Sequence, residues 1–267
     1  MYRILILGLV LFSINTGYSQ PKPKILGTWI AQECKLEIND TTQRKTNIID
    51  LAYNTHDSCT ISIFRDSIYL KKISVYSSGE TDTEIFNFKI IGLSDSFLYL
   101  VPGKENLRYT FYKDSLIKFT RKEVLLKKTI NLEKIIFHSS ICFGTCPVLH
   151  IEIDSNRQIF YNGQVSKGFN PEIDPSLSGT FKGTLNFSSY NNLIDLLHTS
   201  NLEELEFNNE TCCDGPIVTI IVYFNGQRKY LKYMFPPLIA HDLIQYFYNV
   251  KGFADMKRTT EDFKIEK

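Results

Sequence analysis

Cysteines are the residues of this 267-residue chain best suited to chemistry, and there are six of them. Cys142-Phe-Gly-Thr-Cys146-Pro147 sets two thiols across a Gly-containing turn, just before a strand-like run. Cys212-Cys213 forms an adjacent pair before another such run, and Cys34 and Cys59 stand far earlier. Thiols grouped this way serve as disulfides, as a redox centre or as metal ligands. Cys142 and Cys146 can bond to each other, or each can reach Cys213 or Cys212 and staple the loop to a central strand. Closing that loop of about 70 residues would stabilise by roughly 4 kcal/mol in the chain-entropy account. A Cys-x3-Cys redox pair is the competing chemistry. Thioredoxin-type pairs use Cys-x2-Cys at a helix N-terminus, where the dipole lowers the thiol pKa. Here Pro147 and an alternating strand follow instead. Four thiolates from Cys142, Cys146, Cys212 and Cys213 would suit Zn²⁺ or Cu(I). Their spacing is not the Cys-x2-Cys repeat, however, and adjacent cysteines strain to face one ion. Cys34 and Cys59 fall on early strands read as neighbours and are expected to form a disulfide. Structural disulfides are therefore the first expectation, with no metal and no cofactor.

Compartment decides how such thiols behave. Residues 1–19 read as a secretory signal: Arg3 supplies the positive start, Ile4 to Ile14 the short apolar run, and Gly17-Tyr18-Ser19 the small residues at −3 and −1. Cleavage is expected between Ser19 and Gln20. No cysteine precedes Cys34, so no lipoprotein-type acylation site accompanies it, and no later run is long enough to span a bilayer. A secreted or periplasmic protein follows, with no transmembrane anchor after cleavage, and an oxidising compartment favours disulfides. A net charge of +1 without basic or acidic blocks argues against nucleic acid as a partner.

Other catalytic signatures are missing. The five histidines form no spaced cluster, and His150 reads as a surface residue on the polar side of its strand. No nucleophile elbow, phosphate loop or dinucleotide fingerprint is present. Asp214 and Pro216 precede an apolar strand and read as turn residues.

The elements around these residues are mostly strands. Tyr, Phe, Ile and Thr dominate the segments, with 15 Tyr and 19 Phe against one Trp. Roughly 245 mature residues suggest two domains. In 21–129 we read strands at Leu26–Leu36, Thr46–Tyr53, Cys59–Phe64, Ile68–Val75, Glu84–Ile91, Phe97–Val101, Leu107–Tyr112 and Ser115–Arg121. Turn chemistry such as Arg65-Asp66-Ser67 and Pro102-Gly103 separates them. Short strands with no helical period between them predict a small antiparallel β-barrel. Leu26-Gly27-Thr28-Trp29 resembles the Gly-x-Trp opening of lipocalin-like barrels. That resemblance implies a Trp plugging the barrel floor and an Arg of the last strand, here Arg121, stacked on it. It also implies an interior able to hold one small apolar ligand.

The pattern restarts at Glu133 after a boundary at 129–132. Over 132–255, strands are read at Lys134–His138, Val148–Asp154, Gln158–Tyr161, Gly179–Leu185, Ile217–Phe224 and Arg228–Met234. Leu149, Ile151 and Ile153 share one face of theirs. Asn225-Gly226 predicts a type I′ hairpin. Phe187, Tyr190, Leu193, Ile194 and Leu197 repeat at helical spacing behind Asn186 or Ser188 as N-cap. A last helix follows Pro236-Pro237, with Ile239, Leu243, Phe247 and Val250 as its stripe. This is an α+β domain with an antiparallel sheet and two helices on one face. Residues 256–267 read as a charged, frayed tail. The half resembles a bacterial family of unknown function marked by a Cys-Phe-Gly-Thr-Cys-Pro segment, matched here by Cys142–Pro147, by the strand opening at Gly179 and by Asp214-x-Pro216. The resemblance implies a domain and no activity; Cys212-Cys213 is not part of the pattern.

The fold class expected is thus mainly β with α+β. The function expected is a non-enzymatic module binding a small apolar ligand or a protein partner. A thiol redox or metal-handling protein is the alternative.

Overall fold

The computed structural model of the chain describes residues 25–32, 34–39, 47–51, 57–75, 78–103, 116–168, 171–207, 214–261 and 264–266. The expected signal segment with its Ser19–Gln20 cleavage, the strand at Leu107–Tyr112 and the Cys212-Cys213 pair lie outside the described residues.

Eight antiparallel strands form a closed barrel in sequence order: β1 Gly27–Ile30, β2 Cys34–Ile38, β3 Asn47–Leu51, β4 Asp57–Phe64, β5 Ser67–Val75, β6 Thr81–Leu93, β7 Phe97–Pro102 and β8 Ile117–Arg121. The expected single strand Leu26–Leu36 is two. The chain folds back after Ile30, so that Trp29 lies opposite Leu36 and Ile30 opposite Lys35. Nothing in Ala31-Gln32-Glu33 carries turn chemistry, which is why the break does not show in the sequence. The barrel closes where Trp29 and Ile30 of β1 pair with Arg121 and Thr120 of β8. Alternation points one set of side chains inward. Ile38, Ile61, Ile68, Leu70, Leu98 and Leu100 expose no surface at all. A side chain with no accessible surface borders no void large enough for a water molecule. Around these residues the interior is filled.

After the short helix α1 (Lys122–Leu125), seven antiparallel strands build the second sheet: β9 Leu132–Ser139, β10 Val148–Asp154, β11 Gln158–Gln164, β12 Gly179–Leu185, β13 Val218–Phe224, β14 Gln227–Tyr233 and β15 Ala254–Arg258. Their order is β14-β13-β9-β10-β11-β12-β15. Helices α2 (Phe187–Thr199) and α3 (His241–Asn249) share one core with a single face of the sheet. Asn186 caps α2, its Oδ1 accepting from Ser189 N at 2.8 Å. Phe137 of β9 stacks on Phe247 of α3 at 4.7 Å. Asn225 and Gly226 both take positive φ, 52° and 70°, as the expected hairpin requires.

β15 corrects the expectation of a frayed tail. Its charged residues suit an edge strand, and it pairs with β12, Met256 opposite Gly183. A Cβ at Gly183 would run into the Asp255 carbonyl, so glycine there admits the edge strand.

Candidate functional site

Each sequence motif takes its own place. Where β1 meets β8, Gly27 adopts φ +132° beneath the Arg121 guanidinium. Arg121 Cζ stands 4.3 Å from the Trp29 ring centroid, and Arg121 Nη1 donates to Leu26 O at 3.0 Å. Trp29 Nε1 donates to Ile25 O at 2.7 Å. The Trp29 ring is fully buried there.

The strands carrying Cys34 and Cys59 are not neighbours, contrary to the reading that paired these residues. β3 lies between them, with Cys34 opposite Leu51 and Cys59 opposite Asn47, near the two ends of that strand. A disulfide needs Cα atoms within about 7 Å, less than two strand spacings of about 4.8 Å each. Cys59 is buried in the barrel core.

The loop between β9 and β10 holds the site that stands out. Cys142 and Cys146 are joined as a disulfide with Cα atoms 5.6 Å apart, which answers the pairing question: neither reaches across to Cys212 or Cys213. Oxidised to each other, the two sulfurs are not thiolate ligands. Gly144 turns the chain between them at φ +143°. Hydrogen bonds tie the loop to the sheet on both sides. Ser139 Oγ donates to Pro147 O at 2.7 Å and accepts from Leu149 N at 3.1 Å, so Pro147 acts through its carbonyl. Ser140 N donates to Ile217 O at 3.0 Å, and Ile217 N donates to Ser140 Oγ at 2.9 Å. Phe143 N donates to Asp214 O at 3.0 Å. Asp214 and Pro216 thus belong to a segment running beside the loop, Asp214 contributing its carbonyl. On this fixed frame Ile141 is 76 % and Phe143 90 % exposed.

A cross-link and main-chain bonds thus hold apolar side chains in water. Such a short loop also gains little global stability from its bond, about 2 kcal/mol in the chain-entropy account. The disulfide's main effect is local shape.

A second cluster lies on the sheet face away from the helices. His138 and His150 are cross-strand partners on β9 and β10, with Nδ1 atoms 2.8 Å apart. His138 Nε2 is 2.6 Å from the main-chain O of Glu266. The Glu266 carboxylate accepts from Tyr223 Oη at 2.7 Å and from Arg228 Nε and Nη2 at 3.2 and 2.9 Å. Those bonds, Tyr223's first, hold its pKa below the usual carboxylate range, and the Glu266 bond raises that of Arg228. Sequence reasoning took His150 alone and missed the pair. The signal was available in outline, since both histidines sit at polar positions of strands joined by a short loop, but the register that apposes them is not written in either strand. Among the described residues no group of three or more His, Cys, Asp or Glu is placed to hold a metal ion. Among them, too, no helix is long and apolar enough to cross a membrane.

Fold and site together define a two-part, mostly β protein: a closed eight-stranded barrel, then a seven-stranded sheet backed by two helices that displays a disulfide-bonded loop. Residues 133–249, from β9 to the end of α3, match the model of a family described as a domain of unknown function, DUF6438. No curated protein and no solved structure matches the chain.

Proposed function

We propose that this chain is an exported, non-enzymatic protein-interaction module whose recognition element is the loop Ile141–Cys146. The observation that carries the reading is the exposure of Phe143, 90 %, on a loop closed by the Cys142–Cys146 bond. Large aromatic anchors dominate binding energy at protein interfaces. Fixing them before contact removes part of the ordering entropy that association must otherwise overcome. The bond also suits an oxidising compartment, in keeping with a signal at residues 1–19 and a mature N-terminus at Gln20. The barrel is lipocalin-like in its Gly27-x-Trp29 opening and its Arg121 stack. Its filled lining favours a rigid body over a carrier of a small apolar ligand.

A photo-crosslinking residue at position 143, in the protein exported from its own cells, tests the reading. The same residue at position 187, where Phe187 is 68 % exposed on α2, is the control. A discrete protein adduct from 143 and none from 187 is expected. No adduct from 143, or the same adducts from both, overturns the reading. N-terminal sequencing of the exported protein should begin at Gln20; an intact Met1 would remove the export part.

Thiol exchange is a second reading, and one observation favours it: Phe143, next to Cys142, bonds the carbonyl of Asp214, the residue after Cys213. It requires free thiols on Cys212 and Cys213 in the native protein. Non-reducing peptide mapping that finds both in stable disulfides removes it.

A further inference from the structure

Two described pieces of chain after β15 meet the sheet, residues 259–261 and 264–266. After β15, Thr259 N donates to Thr180 O at 3.0 Å on β12, and Glu261 pairs with Lys182. By Glu266 the chain has reached the other half of the sheet, over β9, β13 and β14. Glu266 is held there twice, by its main-chain oxygen and by its carboxylate. The main-chain hold runs through two imidazoles in series.

Their protons can be counted. A carbonyl oxygen only accepts, so His138 Nε2 carries hydrogen toward Glu266 O, 2.6 Å away. The Nδ1···Nδ1 contact of 2.8 Å needs one hydrogen, supplied by either ring. While the contact lasts, the pair is neutral or carries one positive charge. A second charge would set two N–H groups head to head. Once the rings turn apart, each can take its own proton. We infer that His138 and His150 form a proton-operated latch on the C-terminal segment, docked at neutral pH and released when the second imidazole is protonated.

The groups facing the pair fit this. On the segment itself Glu266 is an anion, held so by Tyr223 of β13 and Arg228 of β14. Lys134 of β9 lies 5.1 Å from the Tyr223 ring centroid and 3.7 Å from Glu152 of β10. Across the strands, Thr219 stands opposite His138 and Asn162 opposite His150, both uncharged. Imidazole is the side chain whose charge changes between pH 5 and 8. The sign follows from linkage. The released state binds one proton more than the docked one, so docking is complete above the imidazole range. The docked-to-released ratio falls as pH drops through the imidazole range, by about tenfold per pH unit. On the same sheet Ile136 and Ile221 are cross-strand partners and fully buried.

An NMR titration of the full chain from pH 8 to 5 tests the latch. The Arg228 Nε–H and Ile265 methyl signals report docking, and the imidazole ¹⁵N signals report protons. Both docking signals should shift to released values with the tenfold-per-unit slope. The imidazole nitrogens should show at most one charge on the pair while the segment is docked. His150→Gln, which keeps a hydrogen for His138 Nδ1 but takes no proton, should hold the segment docked to pH 5. Tyr223→Phe should lower docking by the same factor at every pH. Docking that is independent of pH in the unsubstituted protein, equal slopes with and without His150→Gln, or two charged rings under a docked segment would each overturn the inference.

Discussion

The barrel and the sheet domain each contain one short motif that locks a turn of chain, and the two locks are opposites. At the barrel's seam Gly27, Trp29 and Arg121 close β1 against β8 by packing and one cation–π contact, with Trp29 fully buried. In the sheet domain Cys142, Gly144 and Cys146 close a loop by a covalent bond, and the residues they hold in place are left in water. Both motifs place a glycine at positive φ. In the first, each group serves the inside of the molecule, and its task is complete once the barrel is shut. In the second, the bond fixes side chains that nothing in the fold uses. Burial without exposure marks a structural lock. Rigidity combined with exposed apolar surface marks a presented one.

The comparison breaks most readily at the first lock. Trp29→Ala removes the largest side chain of the barrel core and should destabilise the barrel by about 3–5 kcal/mol, as large core truncations do. Denaturant unfolding followed through barrel signals measures it, and a loss below 1 kcal/mol would mean the ring is not a core plug. Gly27→Ala comes next. A Cβ there meets Arg121 Nη1 at 3.0 Å on a backbone at φ +132°, and such strain amounts to about 1–3 kcal/mol. Gly144→Ala meets open space apart from Cys142 Sγ at 3.9 Å. It should therefore strain its loop without touching the core, so any loss beyond that of Gly27→Ala would reverse the contrast between the locks.

What the sequence disclosed follows the same divide. Local chemistry was legible: Asn225-Gly226 announced its turn, Asn186 or Ser188 a cap that proves to be Asn186, and the alternation through Leu149, Ile151 and Ile153 the face of β10 that is buried. Trp29 and Arg121 were legible as a pair only because a short family pattern links residues far apart in the chain. Where pairing alone decides, the sequence was silent. The fold-back after Ile30 uses no turn residue. β15 reads as charged tail because an edge strand needs only one neighbour, and Gly183 on that neighbour makes room for it. The apposition of His138 and His150 is a matter of register, and so is the separation of Cys34 from Cys59 by β3. Neither Cys142 nor Cys146 could name its partner from spacing, since a short turn and a long staple both satisfy the thiols.

The second lock gives smaller effects on stability and larger ones on recognition. Replacing Cys142 and Cys146 together by serine should lower stability by about 2 kcal/mol at most. Ser139, Ser140 and Phe143 retain their hydrogen bonds to the sheet and its neighbouring segment, so the β9–β10 connection should persist. Chemical denaturation of the double variant against the oxidised protein reads the difference. A loss comparable to that of Trp29→Ala would make the disulfide a lock of the first kind.

Phe143→Ser is the smallest change to the fold and the sharpest test of the contrast. The ring is 90 % exposed and belongs to neither hydrophobic core. Its amide, which bonds Asp214 O, is unaffected by the side chain. Surface substitutions of this kind stay within about 0.5 kcal/mol of neutral. Serine moreover removes apolar area from water in the folded and unfolded states alike, so little hydrophobic free energy changes between them. If the loop is a presented surface, the same substitution should reduce partner capture, measured with the crosslinker moved to position 141, by tenfold or more. That is the loss expected when an aromatic anchor worth about 1.4 kcal/mol or more leaves an interface. Unchanged capture with unchanged stability would leave Phe143 without a role in either lock.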